Sequence, residues 1–267
     1  MNEENRLRLA KTEASHKYDH GHALVLTGGA GATGAGRLAA RGALRVGAGL
    51  VTLGAPGSAM MECAAHSTAV MVRRCDGADG LAAFLEDARI NALCLGPGMG
   101  VSRAAEVLPV AIARFASGTA GGCVLDADAL TALAANPQSL HGRIVLTPHG
   151  GEYHRLFPDL GQGDADVAEA AAKSGAVVLL KGPRTVIASP EGDFAIVEAE
   201  APWLATAGSG DVLAGIITGL LARRFGAFDA ACVGADLHGA AARRYGPGLV
   251  AEDIPEMLPG VFSDLGL

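Results

Sequence analysis

CVLDADALTALAANPQSLHGRIVLT, residues 123 to 147, holds a complete structural unit. Its ends, 123 to 127 and 143 to 147, are short apolar runs, and the Ala-rich stretch between them, 128 to 135, has helical spacing. Neither run alternates apolar with polar residues, which is the pattern of a strand covered on both faces rather than on one. A buried strand, a helix and a second buried strand predict a parallel crossover, and a parallel sheet needs helices on both sides.

The same unit recurs on either side. Further buried strands are predicted at ALVLT (23 to 27), LVTL (50 to 53), ALCLG (92 to 96) and AVVLLKG (176 to 182), and further helices over 34 to 47, 101 to 115 and 164 to 174. RTVIASPEGDFAIVE (184 to 198) reads as a hairpin with its turn at PEGD, and from 205 onward the text is mainly helical. No long linker, low-complexity tract or internal repeat divides the chain, so the 267 residues are read as one α/β domain.

Composition narrows the function. Half the residues are hydrophobic and 18% are charged, a balance that supports a large core. The net charge of -7, with no cluster of Lys and Arg, argues against a nucleic-acid partner. The segment LAGIITGLLA (213 to 222) is too short to span a bilayer, and the polar start MNEENRLRLAKTEASHKYDHGH has no apolar centre, so no membrane association and a cytoplasmic location are expected. Five cysteines at 63, 75, 94, 123 and 232 show no paired spacing and read as structural thiols. The mainly apolar helices suggest burial against a second copy, hence a homo-oligomer.

Because ligands of open α/β sheets sit beyond the carboxyl ends of strands, the residues that follow the apolar runs carry the chemistry. The strongest such segment is ATAGSGDVLAGIITGLL, 205 to 221. Backbone N–H groups around Gly208, Ser209, Gly210 and Asp211 would be unpaired at a helix start and could hold a phosphoryl group. Asp211 beside them either accepts a hydroxyl proton or is an ordinary capping acid. In LGPGMG, glycines 96, 98 and 100 allow a ligand close to the backbone, or simply make a strand-to-helix turn. LTPHGGE places His149 and Glu152 just past a strand, where His149 donates to a substrate or caps a helix. Lys181, ending an apolar run, is a phosphate ligand or a snorkelling edge residue. Asp126 and Asp128 in VLDADAL are caps, or carboxylates that order a metal ion or its waters.

GSGD followed by VLAGIITGLL resembles the G-[TS]-G-D signature of the ribokinase-like superfamily, whose Asp is the base for phosphoryl transfer. The remainder resembles one branch, the ADP- or ATP-dependent NAD(P)H-hydrate dehydratases, through an ordered series over roughly 15 to 245: SHKYDHGHALVLTGG, GATGAGRLAARGALRVGAGLV, LGPGMG, VLDADAL, LTPHGGEYHRLF, LKGPRTVIASPEG and AGSGDVLAG. The resemblance implies a ribokinase-like three-layer α/β/α sandwich with a mostly parallel central sheet, with residues 1 to 15 a flexible or peripheral segment. It implies dehydration of the S-epimer of hydrated NADH or NADPH through a phosphorylated intermediate, with ADP or ATP as co-substrate and Mg2+.

Carried over residue by residue, the resemblance assigns Asp211 as base and Gly208, Ser209 and Gly210 as the anion hole. It assigns Ala35, Gly98, His149 and Asp211 to the substrate. Lys181, Gly182, Pro183, Arg184, Thr185 and Gly210 go to the nucleotide, and the metal ligands stay unassigned. Ser209 stands where many relatives have threonine, and AEAPWLATAG (199 to 208) departs from the family's approach to the signature, which leaves the adenine and ribose contacts, including any from Trp203, open. The epimerase domain fused to some relatives is missing from this chain, implying pairing with a separate epimerase. The alternatives are a ribokinase-like kinase that stops at a phosphorylated vitamin-precursor alcohol, and a catalytically silent nucleotide sensor.

Overall fold

A computed structural model describes residues 1–116 and 121–267. Its centre is a nine-stranded sheet in the order β3-β2-β1-β4-β5-β6-β7-β8-β9. The strands are β1 His22–Leu26, β2 Leu50–Ala55, β3 Met71–Arg74, β4 Ile90–Leu95, β5 Gly122–Leu125, β6 Ile144–Leu146, β7 Val177–Leu180, β8 Arg184–Ala188 and β9 Phe194–Glu198. β1 to β7 are parallel; β8 and β9 form the expected antiparallel hairpin and extend the sheet from β7. The edge strand β3, exposed along most of its length, is not among the expected strands.

Alternate side chains of the parallel strands enter two separate cores, as the two-residue period requires. Ala23, Val25, Ala92, Cys94, Val124 and Val145 face one core, and Leu24, Leu26, Leu93, Leu95, Leu125 and Leu146 face the other. The first core is closed by α2 Gly34–Arg45, α9 Ser209–Ala222, α10 Ala227–Tyr245 and α11 Asp253–Asp264. The second is closed by α4 Gly77–Leu85, α5 Val101–Ala116, α6 Ala127–Ala135, α7 Gly150–Leu156 and α8 Asp164–Ser174. The architecture is therefore the three-layer α/β/α sandwich.

Helix α9 is apolar all round because it is wrapped on all sides: every residue from Val212 to Ala222 is buried. Gly215 and Gly219 let α2 approach at backbone distance, since a methyl group on either would fall 2.0 Å from the Ala39 carbonyl oxygen or 2.6 Å from that of Ala43. The apolar surface of α9 is thus used up inside the chain and is not offered to a second copy. No described helix is long and apolar enough to cross a membrane.

Within the first fifteen residues, α1 Glu3–Leu9 is a defined helix anchored to the C-terminal half. Arg223 donates to the carbonyls of Arg8 and Leu9 at 2.8 and 2.7 Å, and the terminal ammonium pairs with Asp236 at 2.8 Å. A further short α-helix, α3 Met60–Ala65, lies between β2 and β3.

Candidate active site

Strand order reverses between β1 and β4, whose neighbours lie on opposite sides, and the loops that follow these two strands pack against each other beyond the carboxyl ends of the strands. Gly28 and Gly98 meet there: a methyl group on Gly28 would lie 2.0 Å from the Gly98 carbonyl oxygen. Gly98 adopts φ +64, and a methyl group there would sit 3.2 Å from the Ala35 side chain. Ala35 and Gly98, expected at the substrate, are therefore adjacent. The loop before α2 is held from outside by Glu62, which accepts from the Gly31 amide at 2.7 Å and the Thr33 hydroxyl at 2.5 Å. Neither contact was legible, because Glu62 belongs to an element distant in sequence.

The next strands supply the acid-base cluster. Gly96, with φ +118, packs against the Asp126 carbonyl, and the Gly100 amide donates to Asp128 at 2.8 Å. Asp128 thus holds the LGPGMG turn. Asp126 precedes α6 but makes no side-chain capping bond; its carboxylate accepts from Lys181 Nζ at 2.8 Å. The Lys181 amide donates to the Pro148 carbonyl at 2.8 Å, a backbone link that brings the LTPHGGE and LKGPRT segments side by side.

His149 caps α7. Its Nδ1 accepts from the amides of Gly151 and Glu152 at 3.0 and 3.4 Å, while Glu152 accepts from the His149 amide at 2.9 Å, completing a capping box. With Nδ1 accepting, the proton of the neutral ring sits on Nε2, 3.5 Å from Glu152, while the imidazole as a whole is about half exposed.

Asp211 lies in the first turn of α9, after Gly208 in the left-handed conformation at φ +88. The amides of Gly210 and Asp211 find no backbone partner among the described residues, while that of Ser209 makes a long contact of 3.4 Å with the Thr206 carbonyl. The Ser209 hydroxyl donates to the Leu204 carbonyl at 2.8 Å, so it ties the approach segment to the helix. Lys181 Nζ lies 3.2 Å from where a side chain on Gly210 would begin. Burial pushes the Asp211 carboxyl up to about 6; the carboxylates of Asp126, Asp128 and Glu152 push the same way, and Lys181 opposes them. A carboxylate so placed is a stronger base than an ordinary aspartate at neutral pH.

Beside this cluster opens a cavity of about 780 Å³, within the range that holds a small molecule. Lys181, Gly182, Pro183, Arg184, Thr185 and Gly210, all expected at the nucleotide, line it. The Arg184 guanidinium is held bidentately by Asp164 at 2.6 and 2.8 Å, and the Thr185 hydroxyl donates to the Gly182 carbonyl at 3.1 Å. Val197 to Pro202, Leu204, Leu213, Ala235 and His238 also line it, Val197 and Glu198 as the cross-strand neighbours of Thr185 and Arg184. Trp203 does not line this cavity and is about half exposed beside it. His238, missed in the sequence, lies in a run of small helical residues that gives no local sign of a site.

Comparison with known proteins gives this chain relatives of one kind. The family model described as NAD(P)H-hydrate dehydratase matches residues 23–256. The ADP-dependent (S)-NAD(P)H-hydrate dehydratase of Neisseria meningitidis is 40% identical over 87% of this chain and 80% of that protein. The bifunctional NAD(P)H-hydrate repair enzyme Nnr of Moorella thermoacetica is 41% identical over 97% of this chain and 53% of that protein, so the chain spans about half the length of such bifunctional relatives. The ADP/ATP-dependent NAD(P)H-hydrate dehydratase of Bacillus subtilis, co-crystallised with ATP/Mg2+, superposes with a TM-score of 0.80 at 28% identity, covering 98% of this chain and 96% of that one. A ribokinase-like superfamily protein of Enterococcus faecalis has a TM-score of 0.85 at 24% identity, over 97% of this chain and 94% of that one, and shares the fold.

Proposed function

Since the chain belongs to the NAD(P)H-hydrate dehydratase family, we propose that it dehydrates the S-epimer of hydrated NADH or NADPH, with ADP or ATP as phosphoryl donor. The observation that carries this reading is Asp211: a carboxyl raised to about 6, at the free N-terminus of a buried helix, beside Lys181 and the mouth of the cavity.

In this reading the nucleotide occupies the cavity, with its phosphates toward Lys181 and the Gly210 and Asp211 amides. The hydrated ring lies against Ala35 and Gly98, near His149. Its hydroxyl sits on the carbon beside the ring nitrogen, and hydroxide is a poor leaving group. Asp211 takes the hydroxyl proton as the oxygen attacks the terminal phosphorus, and ADP or ATP leaves as AMP or ADP. The ring-nitrogen lone pair then expels phosphate, and loss of the neighbouring carbon-bound proton restores the dihydronicotinamide. The free amides hold the charge on the migrating group, and Lys181 adds a cation to that end.

Mg2+ suits this donor set as an ion that arrives with the nucleotide. The carboxylates of Asp126, Asp128 and Glu152 all lie near enough to Asp211 to raise it, while no group of three or more His, Cys, Asp or Glu among the described residues forms a metal cage. Asp126 or Asp128 would hold it, directly or through water, and phosphate oxygens would complete its shell. Bound there, Mg2+ would neutralise phosphate oxygens.

We place the chain in the cytoplasm, acting as one catalytic domain, as a homo-oligomer, and in sequence with a separate epimerase that supplies the S-epimer. Its five cysteines, all free, suit a reducing compartment. The test is incubation of purified S-hydrate of NADH, then of NADPH, with ADP or ATP in turn. Return of dihydronicotinamide absorbance with stoichiometric phosphate is expected; a stable phosphorylated product without that absorbance would make the protein a kinase instead.

A further inference from the structure

His238 lies on α10, is only 7% exposed, and lines the cavity beside Ser209 and Gly210. Its Nε2 is 2.9 Å from the Ser209 carbonyl oxygen. A carbonyl only accepts, so Nε2 carries the proton. Burial holds the imidazole well below its ordinary value, at about 4, and Lys181 pushes the same way, so the ring is neutral at pH 7. In a neutral ring with Nε2 protonated, Nδ1 is a pure acceptor.

That acceptor has no partner among the described residues, yet it is not among the polar atoms sealed from solvent. The little surface His238 exposes lies in the cavity, so the Nδ1 lone pair faces into it. A buried acceptor with no protein donor is costly to leave unmade, and a ligand donor would satisfy it. Position narrows the ligand further. His238 stands one turn past Ala235 on the same helix, is bonded to Ser209 next to the anion end at Gly210, and shares the cavity with the apolar side chains of Val197, Leu204 and Leu213. A nucleotide that lays its base on those apolar side chains and its phosphates on the anion end brings its nucleoside past this ring.

We propose that His238 determines nucleotide specificity: Nδ1 accepts a hydrogen bond from the exocyclic amine of the base or from a ribose hydroxyl, while Nε2–H on Ser209 holds the ring in place. This rests on the reading of the cavity as the nucleotide site. It adds a residue that senses the nucleoside and touches the anion hole through the Ser209 carbonyl.

Calorimetric titration of the full chain with ADP, IDP, 2′-deoxy-ADP and 3′-deoxy-ADP tests it. One analogue, the one lacking the donor, binds the wild type about 3- to 10-fold more weakly than ADP, as for one neutral hydrogen bond. IDP as that analogue identifies the amine, and a deoxy nucleotide identifies the sugar. His238→Gln, which can keep a donor on Ser209 without the ring acceptor, binds ADP about as weakly as the wild type binds that analogue and no longer distinguishes the two. His238→Asn, which keeps an acceptor near the Nδ1 position, still distinguishes them. Equal binding of all four ligands by the wild type overturns the proposal, and so does full discrimination by His238→Gln. Ala201→Trp fills the cavity and separates the two levels: ADP binding undiminished by it places the nucleotide elsewhere and overturns the cavity reading itself.

Discussion

Lys181 Nζ stands 2.8 Å from Asp126 Oδ1 and 4.0 Å from Glu152 Oε2, so the cation beside the anion hole is already shared between two nearly buried carboxylates. The lysine therefore has two tasks. It neutralises Asp126, whose side chain is 2% exposed, and it restrains the rise of the Asp211 carboxyl.

Lys181→Met separates these tasks. Loss of one partner leaves Asp126 buried without a countercharge, at a cost of about 3 kcal/mol, read by denaturant unfolding at pH 7. The acid limb of the kcat/KM profile moves upward from its wild-type position near 6, because the one group that lowers the Asp211 value is gone. An acid limb that stays in place would mean that Asp211 does not titrate in that profile.

Asp211→Asn is expected to abolish turnover while leaving ADP binding in place, and to stabilise the fold. The Asp211 carboxyl rises from 3.8 to about 6 on folding, so the folded chain binds the proton more tightly than the unfolded chain. The stability this contributes is complete below 3.8 and lost as pH rises through about 6. Above that range an ionised Asp211 costs the native state about 3 kcal/mol as an upper figure, since each tenfold gain in proton affinity on folding is worth about 1.4 kcal/mol. The asparagine variant should melt higher than wild type at pH 7.5, with the advantage fading toward pH 4. Melting curves across that range check the sign.

The β-α rhythm was legible because each parallel strand except the edge strand β3 is buried on both faces and so reads as an unbroken apolar run; the helix at 164–174 and the hairpin at 184–198 were placed to the residue or nearly so. β3 escaped for the opposite reason. Met71–Arg74 is an exposed edge strand, paired only with β2 among the described residues, so nothing in its surroundings demands apolar side chains. At the site, Asp211 and Lys181 stand out because each ends an apolar or small-residue segment. The partnerships of Asp128 with Gly100, of Glu62 with Gly31 and of His238 with Ser209 join segments far apart in the chain, and no local pattern encodes them.

Two glycines of LGPGMG should respond differently to alanine. At Gly96 the new methyl group would fall 1.7 Å from the Asp126 carbonyl oxygen with φ at +118, so β4 and β5 must separate at their carboxyl ends. Gly96→Ala is expected to fail to fold or to lose several kcal/mol, with the site lost along with it. Gly100 adopts φ +80 with nothing within 4 Å, so Gly100→Ala carries only the backbone cost of about 1–2 kcal/mol. Melting temperatures of the two purified variants decide; equal losses would mean that the close approach of Gly96 to Asp126 is relieved at little cost.

His149 offers a way to separate capping from substrate contact. The cap needs only an acceptor at Nδ1 for the Gly151 and Glu152 amides, and asparagine is among the best residues at such a position. His149→Asn should therefore melt like wild type, whereas His149→Ala should lose about 1 kcal/mol. Asparagine does not reproduce the Nε2–H, so if that donor meets the hydrated nicotinamide, His149→Asn raises KM for the hydrate and leaves KM for ADP unchanged. Wild-type KM for both in a stable His149→Asn protein would confine this histidine to its helix, and the substrate contacts would then have to come from Gly98 and Ala35.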